Sequence, residues 1–321
     1  MRAADPGRTP AQSQHRHQRF GARRMISRRR FLSLSAASMA TPAWATPTRW
    51  HGFALGAEVT LTIHADPDQA AAAISVAKST LAEGEALFSL YNPQSDLTRL
   101  NRTTQLHQPD PLFLHMLDIA DHVHGATDGC FDPTVQPLWQ ALAQGANLTA
   151  AQAALGWHRI RWSAEHITLE PGQALTLNGI AQGVLTDVLR DRWRAMGLDH
   201  CLINLGEFAA LGGPFNLGVV DARFGQVAVE TLQNAAIATS SPAALPLGRD
   251  HSHILGPNGQ LPKWATVSVT AQDAGLADAA STAFCLMSQD EIRTACRAMP
   301  GVTSVLLVSE TGALQRLTPS A

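Results

Sequence analysis

Tyrosine is almost absent: Tyr91 stands alone beside 7 Trp and 10 Phe residues. A basic excess is absent too. Lys and Arg number 24 against 26 Asp and Glu, a formal net charge of −2 at pH 7. No positive field exists to hold nucleic acid by its phosphates, and no acidic tail is present. Cysteine is scarce, and none of Cys130, Cys201, Cys285 and Cys296 forms a C-x-x-C pair, which argues against a structural zinc site. Buried free thiols are the plain reading of all four, with a Cys285–Cys296 bridge left open for a chain outside the cytoplasm. No apolar run is long enough to span a bilayer as a helix. What is present is an ordinary globular composition, 45% hydrophobic and 16% charged, over 321 residues. That excludes disorder as the default and suffices for one large domain or two small ones.

Residues 1–24 are polar and rich in Arg and Pro. Met25 then opens MISRRRFLSLSAASMATPAWA, in which Arg28, Arg29 and Arg30 precede Phe31-Leu32, a modest apolar stretch and Ala43-Trp44-Ala45. The order is that of a charged region, an apolar region and a small-residue cleavage site. The S-R-R-R-F-L run resembles a twin-arginine (Tat) export signal, the alternative being a basic amphipathic anchor. Residues 1–45 are therefore read as an N-terminal extension and signal peptide, with translation from Met25, a mature chain from Thr46 and a periplasmic location. The apolar stretch is short and Ser-rich and no Cys follows it, so neither a transmembrane nor a lipid anchor is expected in the mature chain.

Along residues 46–321 the periodicity predicts a strand at 58–64, an Ala-rich helix at 68–90 and a polar loop at 91–109. A helix at 111–126 follows, then a hairpin within 158–169, a strand at 174–178 and a helix at 180–196 closed by Gly197. Strands are expected at 200–204, 215–220, 226–231, 264–270 and 303–308, with helices at 276–287 and 290–298. Strands and helices do not alternate strictly, which argues for α+β architecture.

Six constellations carry polar chemistry. In 89–102, SLYNPQSDLTRLNR, Tyr91 either closes a turn or stacks on a flat ring. In 129–142, Asp132-Pro133 precedes a helical run, so Asp132 either caps a helix or accepts from a ligand. In 175–189 a strand runs through Asn178-Gly179 into a helix, whose N-terminal N–H groups suit phosphate, with Gly179 and Gly183 allowing close approach. Asn204, Gly206 and Glu207 end a strand. His251 and His253, two apart, either share a strand face with a metal or merely flank a turn. Asp278 and Thr282 are i and i+4, so they share a helix face; they are either an N-cap with an inward Thr or two hard oxygen ligands for Mg²⁺.

In order and combination these elements resemble the ApbE family of flavin transferases over roughly residues 50–310. Its S-x-Y-x-x-x-S-x-L-x-x-x-N element matches Ser89, Tyr91, Ser95, Leu97 and Asn101. Its G-x-F-D-x-T-x-x-P-L element matches Gly129 through Leu138. Its G-I-A-K-G element appears as Gly179-Ile180-Ala181-Gln182-Gly183, and its N-x-G as Asn204 and Gly206. Its H-I-x-D-P-x-x-G appears at His253, Ile254, Pro257 and Gly259, and its A-D-A-x-x-T-A at Ala277 to Ala283. The early M-G-T element is degraded to Leu55-Gly56-Ala57.

The resemblance implies an ApbE-like (T-fold-like) domain over 46–321, with mixed sheets and flanking helices. It implies an FAD:protein FMN transferase, which moves FMN from FAD onto a Thr or Ser hydroxyl of an exported or membrane-bound flavoprotein and releases AMP. Tyr91 would stack on the flavin, and Leu55, Cys130, Phe131, Asp132 and Thr176 would line the FAD pocket. Gln182 would contact the phosphates. Gly179, Asp278 and Thr282 would hold Mg²⁺, and His253 would touch FAD and take the hydroxyl proton. The sequence departs from the family at Thr176, where Asp is usual, at Asn178 for Gly, at Gln182 for Lys, at Gly256 for Asp and at Ser241 for Gly. Its L-N-G-I-A-Q-G element is similar to the NosX-type branch accessory to nitrous oxide reductase. The lost carboxylate and cation leave two other readings open, an FAD-binding carrier without transfer activity and an Mg²⁺-dependent FAD pyrophosphatase.

Overall fold

The computed structural model describes residues 46–247 and 251–319, with the backbone alone of Leu32–Leu34. The Arg28–Arg30 signal and its cleavage segment lie outside the described residues. Eight strands form one antiparallel sheet. Its order is Leu314–Leu317, Val302–Val308, Thr266–Ala271, Ala236–Ser240, Phe208–Leu211, Cys201–Asn204, Ala57–Ile63 and Thr48–Ala54. Alternation along Cys201–Asn204 shows how both faces are covered. Cys201 and Ile203 join the core on the helical side, whereas Leu202 joins Leu217 and Leu232 of a smaller sheet on the other. That smaller sheet pairs Phe215–Asp221 with Gly225–Leu232 and the backbone of Leu32–Leu34. Asp221 ties the two sheets together by accepting the Thr266 hydroxyl proton at 2.6 Å.

The helices are α1 Pro67–Phe88, α2 Asp96–Thr103, α3 Pro111–Ala126, α4 Gln136–Gln144, α5 Leu148–Ala153, α6 Ala181–Ala195, α7 Ala274–Phe284 and α8 Gln289–Ala298. Helix α1 starts where Asp66 accepts the Gln69 N–H at 2.9 Å, with Pro67 at the first turn. Its Ala70, Ala73, Ala77, Leu81 and Leu87 form the buried stripe that the 3.6-residue period requires. Helix α6 packs between α1 and α7, and α7 lies on strands Ala236–Ser240 and Thr266–Ala271. The α6–α7 crossing is close. A Cβ on Gly183 would fall 2.3 Å from the Ala274 carbonyl oxygen, so only glycine allows it. Asp187 on α6 then caps α7, accepting from Ala274 and Gly275 N–H at 2.8 Å each, and Arg190 pairs with Asp187 at 2.8 Å. Burial pushes the Asp187 carboxyl up to about 6, against the pull of Arg190 and the two N–H donors.

The α+β architecture and the helices foreseen around 68–90, 111–126, 180–196, 276–287 and 290–298 are all present. Two expectations are corrected and one alternative is closed. Residues 91–109 are not a loop: α2 forms because Ser95 caps it, accepting the Thr98 N–H at 3.1 Å, and because Leu97 and Leu100 are fully buried. Residues 174–178 are not a strand. There the Leu175 N–H and C=O are both taken by the side-chain amide of Asn101, at 2.7 and 2.8 Å, in place of a ladder partner. All four cysteines are free, and no Cys285–Cys296 bridge forms; burial pushes the Cys285 thiol far up, and Cys296 to about 11. Strand Ala236–Ser240 escaped the periodicity because all five of its residues are buried, so it has no alternation to detect.

Candidate functional site

A cavity of about 320 Å³ opens where the sheet, the N-terminus of α6 and the segments before α2 and α4 meet, a size that suits a small-molecule ligand. Its walls hold Leu55, Tyr91, Cys130, Phe131, Asp132, Thr176, Gly179, Gln182, His253 and Thr282, ten of the eleven residues to which the resemblance assigns a role; Gly183, Asn204, Gly206, Glu207 and His251 do not line it. Asp278 does not line it. Asp278 lies one turn before Thr282 on α7, fully buried, with Oδ2 accepting the Gly183 N–H at 3.2 Å. The capping alternative for Asp278 is overturned, because Asp273 is the N-cap of α7 and Asp278 is mid-helix.

Each wall has a local cause. The hairpin between Thr48–Ala54 and Ala57–Ile63 turns at Leu55-Gly56 with φ of 47° and 76°, positive at both central residues, which places Leu55 at the rim. Ser89 shapes the Tyr91 loop: its hydroxyl accepts from Tyr91 and Asn92 N–H at 3.3 and 3.2 Å, and its carbonyl takes the Ser95 hydroxyl at 2.6 Å. Tyr91 thus lines the cavity while remaining 54% exposed. Asp132 both caps and lines. Its Oδ1 accepts from the Thr134 N–H and hydroxyl at 2.8 and 2.6 Å, starting a short 3₁₀ turn. Phe131 is held from both sides, its N–H on the Thr127 hydroxyl and its carbonyl on His124 Nδ1. Burial, with Glu291 nearby, raises the Cys130 thiol.

The α6 N-terminus is less open to an anion than its sequence suggests. Ile180 and Ala181 N–H both return to the Leu177 carbonyl, and Gly183 N–H goes to Asp278. Gly183 therefore serves helix packing and not ligand approach, a correction. Gly179 does line the cavity, and a Cβ there would stand 3.1 Å from Thr282 Oγ1. His253 donates its backbone N–H to the Leu245 carbonyl, and its Nδ1 lies 3.2 Å from the same oxygen. A carbonyl only accepts, so Nδ1 carries a proton, and in a neutral ring Nε2 would be the basic nitrogen. His251 is exposed and is not part of the cavity wall. Among the described residues no three His, Cys, Asp or Glu side chains are placed to hold a metal. A cation site here would need backbone or hydroxyl oxygens beside a carboxylate. The Gly179 carbonyl, Asp278 carboxylate and Thr282 hydroxyl are all hard donors, and a single carboxylate leaves room for a phosphate-bearing ligand, so the set fits Mg²⁺.

The sequence model of the ApbE family matches residues 55–307. The chain belongs to the ApbE family. A relative in Chlamydia trachomatis serovar D, an FAD:protein FMN transferase, is 28% identical over 230 residues, which span 64% of this chain and 72% of the relative. The flavin transferase ApbE of Vibrio cholerae superposes with a TM-score of 0.74 at 20% identity, over 85% of this chain and 97% of that one. The ApbE protein of Thermotoga maritima gives 0.75 at 22% identity, over 84% and 96%. The fold is thus the ApbE fold, antiparallel sheets with flanking helices.

Within this ApbE site, sequence reasoning overlooked Gln136, Trp139 and Gln140 of α4, which also line the cavity. Their spacing of i, i+3 and i+4 places them on one helix face, a signal that was available. Gln182, standing where the family usually has Lys, is buried with its amide against the Cα of Gly206, whose φ of 114° and missing Cβ make the room.

Proposed function

We propose that this chain transfers the FMN moiety of FAD to a threonine or serine hydroxyl of an exported or membrane-bound flavoprotein and releases AMP. The observation that carries this reading is the convergence on one cavity of Tyr91, Asp132, Gly179, Gln182, His253 and Thr282, from five segments far apart in the chain. In the reaction the acceptor oxygen bonds to the FMN phosphorus, the P–O–P bridge breaks, and AMP leaves with the bridging electron pair. His253 Nε2 takes the hydroxyl proton. Tyr91 offers a ring face to the isoalloxazine. Asp132 uses Oδ1 for its turn and leaves Oδ2 to accept from a ligand amide or hydroxyl. Gln182 meets the phosphates with a neutral amide. Mg²⁺ held by Gly179, Asp278 and Thr282 would neutralise charge developing on the phosphate oxygens.

Two other readings draw on Thr176 and Gln182, which replace a carboxylate and a cation: a non-catalytic FAD carrier, and an FAD pyrophosphatase in which water replaces the protein hydroxyl. AMP release separates an enzyme from a carrier, and its dependence on an acceptor protein separates transferase from pyrophosphatase. The deciding variant is Asp278→Asn. Asn can still accept the Gly183 N–H, so the fold stays, but the charge is gone. Mg²⁺-dependent AMP release should fall at least about tenfold, a loss of about 1.4 kcal/mol in the transition state, with a milder loss in Thr282→Val. A wild-type rate and Mg²⁺ dependence in Asp278→Asn would remove the metal assignment.

The Arg28–Arg30 signal supports delivery to the periplasm by the Tat route. Replacing Arg28 and Arg29 by Lys should leave the precursor in the cytoplasm; unchanged delivery would exclude that route. The L-N-G-I-A-Q-G element supports a place in the NosX-type branch, with an acceptor linked to maturation of nitrous oxide reductase.

A further inference from the structure

Behind Thr282 runs a short chain of buried hydroxyls whose proton directions follow from counting. Ser281, on α7, donates its hydroxyl to the Asp278 carbonyl at 3.0 Å. A hydroxyl has one proton, so toward Ser240, 2.8 Å away, Ser281 Oγ can only accept. The Ser240 proton is thereby committed to Ser281, and Ser240 Oγ has only lone pairs to offer Thr282, 3.4 Å away. The Thr282 proton turns toward Ser240, and its own lone pairs turn the other way, to the side of Gly179 and the cavity. Ser281 is fully buried, so water does not reach its hydroxyl, whereas Ser240 is nearly buried and stands with Thr282 on the cavity wall.

We propose that Ser240 is a positioning residue for the cation site: by accepting the Thr282 proton it presents Thr282 Oγ1 as a ligand. This rests on the reading of Gly179, Asp278 and Thr282 as the cation set. A threonine hydroxyl binds a hard cation only through a lone pair, and one whose proton points into the site opposes the cation's charge. Without Ser240 the Thr282 proton has no acceptor behind it. Ser281 acts one step further back, because removing its hydroxyl frees the Ser240 proton to point at Thr282 instead.

The test is Mn²⁺ binding, followed by the electron paramagnetic resonance of free Mn²⁺. The chain is held with ADP, which carries a pyrophosphate and no transferable flavin, so no turnover is involved, and the Mn²⁺ bound by the same ADP without protein is subtracted. Ser240→Ala should weaken Mn²⁺ binding about tenfold, in the range found when groups that orient metal ligands are removed. Ser240→Thr, which keeps the hydroxyl, should bind within about threefold of wild type, and Ser281→Ala should fall between the two. Wild-type Mn²⁺ affinity in Ser240→Ala, or in Ser281→Ala if Ser240→Ala does not fold, overturns the role of Ser240 alone. A wild-type chain that binds no Mn²⁺ under these conditions overturns the cation set itself.

Discussion

Asn101 shows how one side chain can serve a site it never touches. Its amide takes both backbone groups of Leu175 and so holds the 174–178 segment, from which Thr176 and Asn178 reach the cavity, with Gly179 next in the chain. Ser89, Ser95 and Asn101 are all polar positions of one motif, and each is spent on backbone geometry. Glu291 works in the same way at the edge of the molecule. It accepts the Ser288 N–H, completes a capping box on α8 and pairs with Lys263 at 3.1 Å. The Ser288 backbone bond first, then the Ser288 side chain and Lys263, hold its carboxyl down at about 2, against an ordinary 4.5. A depressed acid contributes stability that is present above about 4.5 and lost as pH falls toward 2. Glu291→Gln should therefore cost under about 1 kcal/mol at pH 7, since the group is exposed. The gap to wild type should narrow in urea unfolding at pH 3; a gap that is the same at both pH values would refute the charge role.

At the scale of elements, the α6–α7 crossing decides where the candidate cation residues stand. Gly183 lets the helices touch, Asp187 caps α7 from α6, and Asp278 reaches back to the Gly183 N–H. Gly183→Ala forces a methyl against a backbone carbonyl that has no rotamer to change, so it should destabilise by about 1–3 kcal/mol. Gly125→Ala is the control: it is helical, exposed and has open space around its Cβ, and should be neutral or stabilising by up to about 1 kcal/mol. Melting curves of the two variants check this, and equal midpoints would mean that the crossing tolerates the methyl. Element type was legible wherever one face is buried and the other wet, as in α1 or Ala57–Ile63. It was not legible in α2, which has a single buried turn, or in Ala236–Ser240, buried throughout. The extended 174–178 segment looks like a strand in sequence because its apolar residues do alternate, with Leu175 and Leu177 buried. What it lacks is a neighbour, and that is decided by Asn101, more than 70 residues away.

For the whole molecule, a cavity walled by distant segments couples ligand binding to global stability. A ligand held at about 100 times its Kd adds about 2.7 kcal/mol. FAD should therefore raise the melting temperature more than FMN at equal concentration, because the proposed reaction must hold the AMP half before it leaves; equal shifts would count against the transferase reading. Sequence by itself determined the family, the α+β class and a set of eleven site residues of which ten stand on the cavity wall, because motifs record residue types that the chemistry demands at each place. Only the tertiary structure decided that Asp278 stands behind that wall and not at it, that Gly183 packs a helix and does not admit a ligand, and that Ser240 stands beside Thr282. Those are relations between α6, α7 and a strand of the sheet. Local periodicity carries no information about the distance between residues on different elements, and here that distance is set by a helix crossing with no room for a methyl group.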